Sequence, residues 1–148
     1  YDKASSSGLA DKYVDRFNIR TPSTDLQVSA LSGGNQQKTV VAKWMATNPK
    51  LFILDTPTVG VDIGAKYEIY EQIQSFSEGG MAVILISDEY EEIRANCNKV
   101  LVMREGKVVS ILEEEDINSP TFREHLESLV NEGHTETVLI GSKEKEEV

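Results

Sequence analysis

Residues 31–38 read Leu31-Ser32-Gly33-Gly34-Asn35-Gln36-Gln37-Lys38, and the next apolar run, Leu51-Phe52-Ile53-Leu54, is closed by Asp55. A Ser-Gly-Gly turn that opens a helix offers a hydroxyl and several backbone N–H groups, with the positive end of the helix dipole behind them, and so suits an anion. Glycine serves there because a Cβ would hold a phosphate oxygen away from the backbone. The helix that follows carries Val40, Val41, Trp44 and Met45 at the 3.6-residue period of a buried stripe and stops at Asn48-Pro49. At that spacing Trp44 reads as core rather than as a stacking platform. The run 51–54 is expected to be a parallel strand covered on both faces, with Asp55 at its carboxyl end. Ligands of open α/β sheets bind at that edge, where a carboxylate commonly holds the Mg²⁺ of a nucleotide.

On the amino-terminal side, Leu9, Tyr13, Val14 and Phe17 form one helical face that ends near Asn18, and Thr21-Pro22-Ser23 opens a loop toward the glycine turn. On the carboxyl-terminal side, Ile69, Tyr70, Ile73 and Phe76 mark a helix closed by Glu78-Gly79-Gly80 before a strand at 82–86. Strand, helix, strand implies a right-handed parallel crossover. Residues 89–95 form a short acidic helix, and 100–103 with 108–112 form a hairpin turned at Glu105-Gly106. Ser119-Pro120 starts a last helix striped by Phe122, Leu126, Leu129 and Val130. The fold class is α/β: a parallel sheet with a carboxyl-terminal β-hairpin and flanking helices over residues 1–133, then a flexible tail at 134–148. The acidic clusters 113–116 and 144–147 read as solvated charge.

A formal charge of −10 over 148 residues argues against nucleic acid or anionic lipid as the main partner, since both need clustered Lys and Arg. No apolar run approaches the roughly 20 residues of a membrane span, and no signal peptide opens the chain. The single cysteine, Cys97, excludes an internal disulfide or a cysteine metal cluster and suits a reducing compartment as a small buried side chain. His125 and His134 lack ligand spacing and read as surface residues.

Taken together, the glycine turn, strand, Asp and Pro-Thr resemble the nucleotide-binding subunits of ATP-binding-cassette (ABC) transporters. Residues 31–37 resemble the signature motif, 51–55 the Walker B strand, and Val59-Gly60-Val61-Asp62 the D-loop. Gly-Gly-Asn-Gln-Gln-Lys at 33–38, with Gly-Val-Asp-Ile-Gly-Ala-Lys at 60–66, is most similar to the second cassette of bacterial simple-sugar importers, whose subunits fuse two cassettes in one polypeptide. The resemblance runs from about Gly8 to about Leu112. It implies a partial P-loop NTPase core: the carboxyl-terminal part of a cassette.

The sequence contains no Gly-x-x-x-x-Gly-Lys-Ser/Thr, so the cradle for the α and β phosphates is missing from it. A whole cassette approaches the upper range of one domain, roughly 250 residues, which 148 cannot hold. Such a piece is expected to leave an apolar sheet edge beside the Walker B strand, to be covered by another segment or a second copy unless the chain rearranges. Two departures weaken catalysis. Thr56 stands where the family has the Glu that polarises the attacking water, and a threonine hydroxyl is a poor base. Asp88 stands at the switch histidine, where an ionised carboxylate would repel the γ-phosphate.

In this family cassettes pair head to tail, and the signature of one closes over the ATP held by the other. The resemblance thus gives Ser32, Gly33 and Gly34 to a partner's ATP site, with Asn35 and Gln36 close by. It gives Asp62 to the cassette interface and Asp55 to Mg²⁺. The implied partners are a first cassette, a transmembrane permease contacted by the helical region before the signature and, indirectly, a periplasmic or lipoprotein sugar-binding protein. The implied place is the cytoplasmic face of the plasma membrane. The leading expectation is part of the ATPase of a simple-sugar importer, inactive by itself. The alternative is a degenerate regulatory or docking module without turnover; a DNA-repair or translation ATPase is disfavoured by the Asn-Gln-Gln-Lys ending and the acidic composition. The sugar is left open.

Overall fold

The computed structural model describes residues 3–131 and 135–140. They fall into two compact units, one of the described residues up to 49 with 58–69 and one of residues 50–57 with the described residues from 70 on.

The first unit holds α1 (Lys3–Arg16), a 3₁₀ turn (Val28–Ala30) and α2 (Gly33–Met45), together with the opening of α3 (Ile63–Glu78). Asn18, in the left-handed region at φ +47°, turns the chain out of α1, and Asn48 at φ +51° does the same after α2. Phe17, Val41, Ala42, Met45 and Ala65 are buried here. The inward stripe of α2 is Gly34, Lys38, Val41, Ala42 and Met45. Val40 and Trp44, expected in the core, are instead 46% and 53% exposed. The stripe is centred on Lys38 and Met45, and at 100° per residue positions 40 and 44 lie on the far side of that axis. Trp44 carries Lys43 Nζ over its ring at 5.4 Å.

The second unit is built on a five-stranded sheet: β1 (Leu51–Asp55), β2 (Ala82–Ile86), β3 (Lys99–Arg104), β4 (Lys107–Glu113) and β5 (Thr135–Ile140), ordered β1-β2-β5-β3-β4. β1 and β2 are parallel, as the strand-helix-strand pattern predicts, and α3 is the crossover. Its stripe of Ile69, Tyr70, Ile73 and Phe76 is buried as expected. β3 and β4 make the expected hairpin, with Glu105 and Gly106 both at positive φ, which matches the twist of a two-residue turn. Ile93 of α4 (Tyr90–Asn96), Cys97, Ile117 and Phe122 close the core beside Val100 and Val102. The helix predicted after Ser119-Pro120 is α6 (Phe122–Asn131).

Three expectations change. β1 is not covered on both faces: Leu51 and Ile53 are 49% and 56% exposed while Phe52 and Leu54 are buried, the alternation of a strand packed on one face, and β1 also lies at the sheet edge beside β2. The acidic cluster at 113–116 is structural, since Glu113 and Asp116 form the reciprocal capping box of α5 (Glu114–Asn118). Residues 135–140, read as part of a tail, form β5, antiparallel to both β2 and β3. That strand joins the parallel pair to the hairpin rather than covering the outer edge of β1. His134 and the second acidic cluster lie outside the described residues.

Candidate functional site

Within the first unit, Ser32 is the N-cap residue of α2, with extended φ −62° and ψ 155°, yet its side chain makes no capping bond to the helix. Its Oγ instead accepts from Asn35 Nδ2 at 2.9 Å. The first-turn N–H groups of α2 are therefore not satisfied by the cap hydroxyl, which leaves them to an anion or to water. The Gln36 side chain donates to Leu31 O at 2.7 Å and so ties the motif to its own backbone.

Packing constrains the two glycines unequally. A Cβ on Gly33 would lie 3.4 Å from Gly60 O, an ordinary contact, whereas on Gly34 it would come within 2.5 Å of Ala65 Cβ. Gly34 thus exists for the close approach of α2 to α3, which adds a packing reason to that of ligand access. Asp62 caps α3, with Oδ1 accepting from Ala65 N at 3.0 Å. Ser32, Gly34, Asn35 and Asp62 line a polar cavity of about 170 Å³, with Arg20, Lys38 and Glu68.

Those last three residues were not singled out from sequence. Lys38 is 3% exposed. Its Nζ donates to Asn18 O at 2.8 Å and pairs with Glu68 Oε2. Glu68 Oε1 also receives Asn18 Nδ2 at 3.4 Å and lies 3.9 Å from the Arg20 guanidinium. The available signal was a lysine four positions past Gly34 and three before Val41, a cation on an apolar stripe, which is tolerated only when paired.

Within the second unit, Asp55 and Asp88 are both exposed. The parallel register sets Asp55 opposite Ile86, so Asp55 and Thr56 leave the sheet at the same edge as Ser87 and Asp88. Thr56 is exposed, sits at φ +45° and donates its N–H to Ile86 O at 2.8 Å. A β-branched residue in the left-handed region is strained. Ser87 is buried and its Oγ accepts from Glu89 N at 3.0 Å, which fixes the loop that carries Asp88. One exposed carboxylate at a strand end fits Mg²⁺, which keeps several waters and takes further oxygens from phosphate. Among the described residues no group of three or more His, Cys, Asp or Glu gathers to hold a metal. Also among them, no helix is long and apolar enough to cross a membrane.

Residues 3–59 match the family described as ABC transporter. The ribose import ATP-binding protein RbsA of Geobacillus kaustophilus is 50% identical over 110 residues, 74% of this chain and 22% of that protein. The L-arabinose transport ATP-binding protein AraG of Geobacillus stearothermophilus is 42% identical over 125 residues, 84% of this chain and 24% of that protein. The xylose import ATP-binding protein XylG of Thermoanaerobacter pseudethanolicus is 48% identical over 99 residues, 67% of this chain and 20% of that protein. The chain spans about a quarter of the length of these relatives. The fold is that of the ATP-binding cassette MJ0796, solved as a dimer bound to ADP and Pi, with TM-score 0.68 and 19% identity over 77% of this chain and 49% of that one. An inward-facing metal-chelate-type ABC transporter gives TM-score 0.71 and 22% identity over 86% and 51%.

Proposed function

The chain belongs to the ABC transporter family, whose cassettes bind ATP, and from that membership we propose that it is the carboxyl-terminal part of the second cassette in a simple-sugar importer. The observation that carries this reading is the Ser32-Gly33-Gly34 turn at the start of α2, with first-turn N–H groups left open by a cap hydroxyl engaged elsewhere. Its role is to donate the signature to a composite ATP site. Ser32, Gly33 and Gly34 would face the γ-phosphate held by a partner cassette, with Asn35 and Gln36 supporting them and Asp62 at the cassette interface. Asp55 would hold Mg²⁺, which neutralises phosphate charge when bound. An apolar groove of about 300 Å³, lined by Leu9, Tyr13, Leu26, Val28, Leu31 and Ala42, supports a docking place for the permease. The protein would then work at the cytoplasmic face of the membrane, with a sugar-binding protein as an indirect partner and no nucleic acid.

A second reading, a docking or regulatory module without turnover, is favoured for the chain's own edge by Thr56 and Asp88, which lack the base and the imidazole of a working site. The discriminating experiment is ATP-driven sugar uptake by the full-length protein carrying Ser32→Arg. Loss of uptake is expected, and normal uptake would overturn the donated signature. Calorimetry of the 148-residue chain with Mg²⁺-ATP should show no binding; micromolar affinity near one site per chain would require a different phosphate site. Thr56→Glu with Asp88→His in the full-length protein should raise turnover at that edge if a Walker A loop lies upstream, and unchanged turnover would place the defect elsewhere.

A further inference from the structure

The hydrogen bonds around Ser32 fix which way its proton can point. The Arg20 backbone N–H donates at 2.9 Å to Asn35 Oδ1. A backbone N–H can only donate, so the Asn35 atom facing it must be the carbonyl oxygen, and the other arm must be the NH₂. That NH₂ donates to Ser32 Oγ at 2.9 Å, so the hydroxyl is an acceptor toward Asn35 and its own proton is left to donate elsewhere. Arg20 is in turn placed by Glu68, whose carboxylate gathers Arg20, Asn18 and the buried Lys38. Lys38 reaches back to Asn18 O, which anchors the segment 18–20 from its other side.

We propose that Glu68 is a positioning residue for the signature: through Lys38, Arg20 and Asn35 it holds the Ser32 hydroxyl as a hydrogen-bond donor aimed at a phosphate oxygen. This rests on the reading of residues 31–38 as a donated phosphate contact. Glu68 touches no nucleotide in this scheme. It acts by keeping segment 18–20 in place, so that Asn35 occupies one lone pair of Ser32 and the proton stays outward. Asn35→Asp would invert the polarity: the carboxylate still accepts from Arg20 N–H, but its second oxygen takes the Ser32 proton.

The test has two arms. In the 148-residue chain, Glu68→Gln should speed hydrogen exchange of the Gln36 amide, which donates to Ser32 O, and of the bonded amides that follow it in α2 by about tenfold while leaving β2 unchanged, since local opening is set by local contacts. Equal exchange in α2 overturns the proposal whatever the protein does. In the full-length protein, Glu68→Gln and Asn35→Asp should each lower ATP turnover by roughly tenfold or more, the usual scale for residues behind a contact residue. The double variant Lys38→Met/Glu68→Leu should keep the melting temperature near wild type without restoring turnover. Recovery of both would make the ion pair merely structural and overturn the proposal. Ser32→Arg serves as the control: retained turnover there would sink the functional reading itself, while the exchange arm still decides the positioning role.

Discussion

The two units bring family motifs to very different states of preparation. In the first, polar side chains around the glycine turn are held in a chain of bonds: Asn35 by the Arg20 backbone N–H, Ser32 by Asn35, and Lys38 by Glu68 and the Asn18 carbonyl. In the second, Asp55, Thr56 and Asp88 stand exposed at one sheet edge, and Thr56 carries backbone strain. On the proposed function, a site divided between two cassettes permits this: a cassette would keep the contact it lends while its own edge lost catalytic groups, because different molecules would use the two.

The comparison breaks most readily at Glu68. Glu68→Ala should lower the unfolding free energy of the first unit by about 3 kcal/mol, since it strands the buried Lys38 charge, whereas Lys38→Met leaves a partly exposed carboxylate that water can reach and should cost less. Chemical denaturation of both variants reads the difference, and equal costs would mean that the pair is not organised by the buried lysine. Gly34→Ala should cost about 2 kcal/mol, because the added methyl meets Ala65 and the helices must part; a melting temperature unchanged from wild type would refute that close approach. Asp62→Ala should cost about 1 kcal/mol through loss of the α3 cap, with Asp62→Asn restoring most of it in the same denaturation assay. The smallest effect belongs to the other unit. Thr56→Asn should stabilise by about 0.5 kcal/mol, because asparagine tolerates the left-handed region better, and a loss of stability would mean that the threonine is not strained.

Much of this was legible in residue order. The α3 stripe, the parallel pair and the hairpin turn all follow from local periodicity and turn chemistry, and the structure contains each of them. Ser-Gly-Gly before a helix is common in loops, and the family resemblance rested on the whole stretch 31–38 with the strand, Asp and Pro-Thr that follow it. What failed was sidedness and distance. Trp44 shares a helix with Val41 but not its face, and only the angular position relative to Lys38 reveals that. The edge position of β1 depends on which strands exist beside it, which no local pattern encodes. The Glu68 network joins residues up to fifty positions apart, so its members look like ordinary surface charges until the chain is folded. The α5 cap was present in the spacing of Glu113 and Asp116 and was hidden by reading acidic residues as solvation alone.

The insertion of β5 between β2 and β3 also sets the order in which this molecule can assemble. Its register joins residues 84–86 to 138–140 and 100–104 to 135–139, so the last-made of the described strands pairs with two partners laid down well before it. The hairpin rests on neighbours close in sequence, and a loop of that size closes quickly. Long-range pairing is the slow step in strand topologies. The hairpin should therefore gain structure early, and the full sheet should zip up only when residues 135–140 arrive.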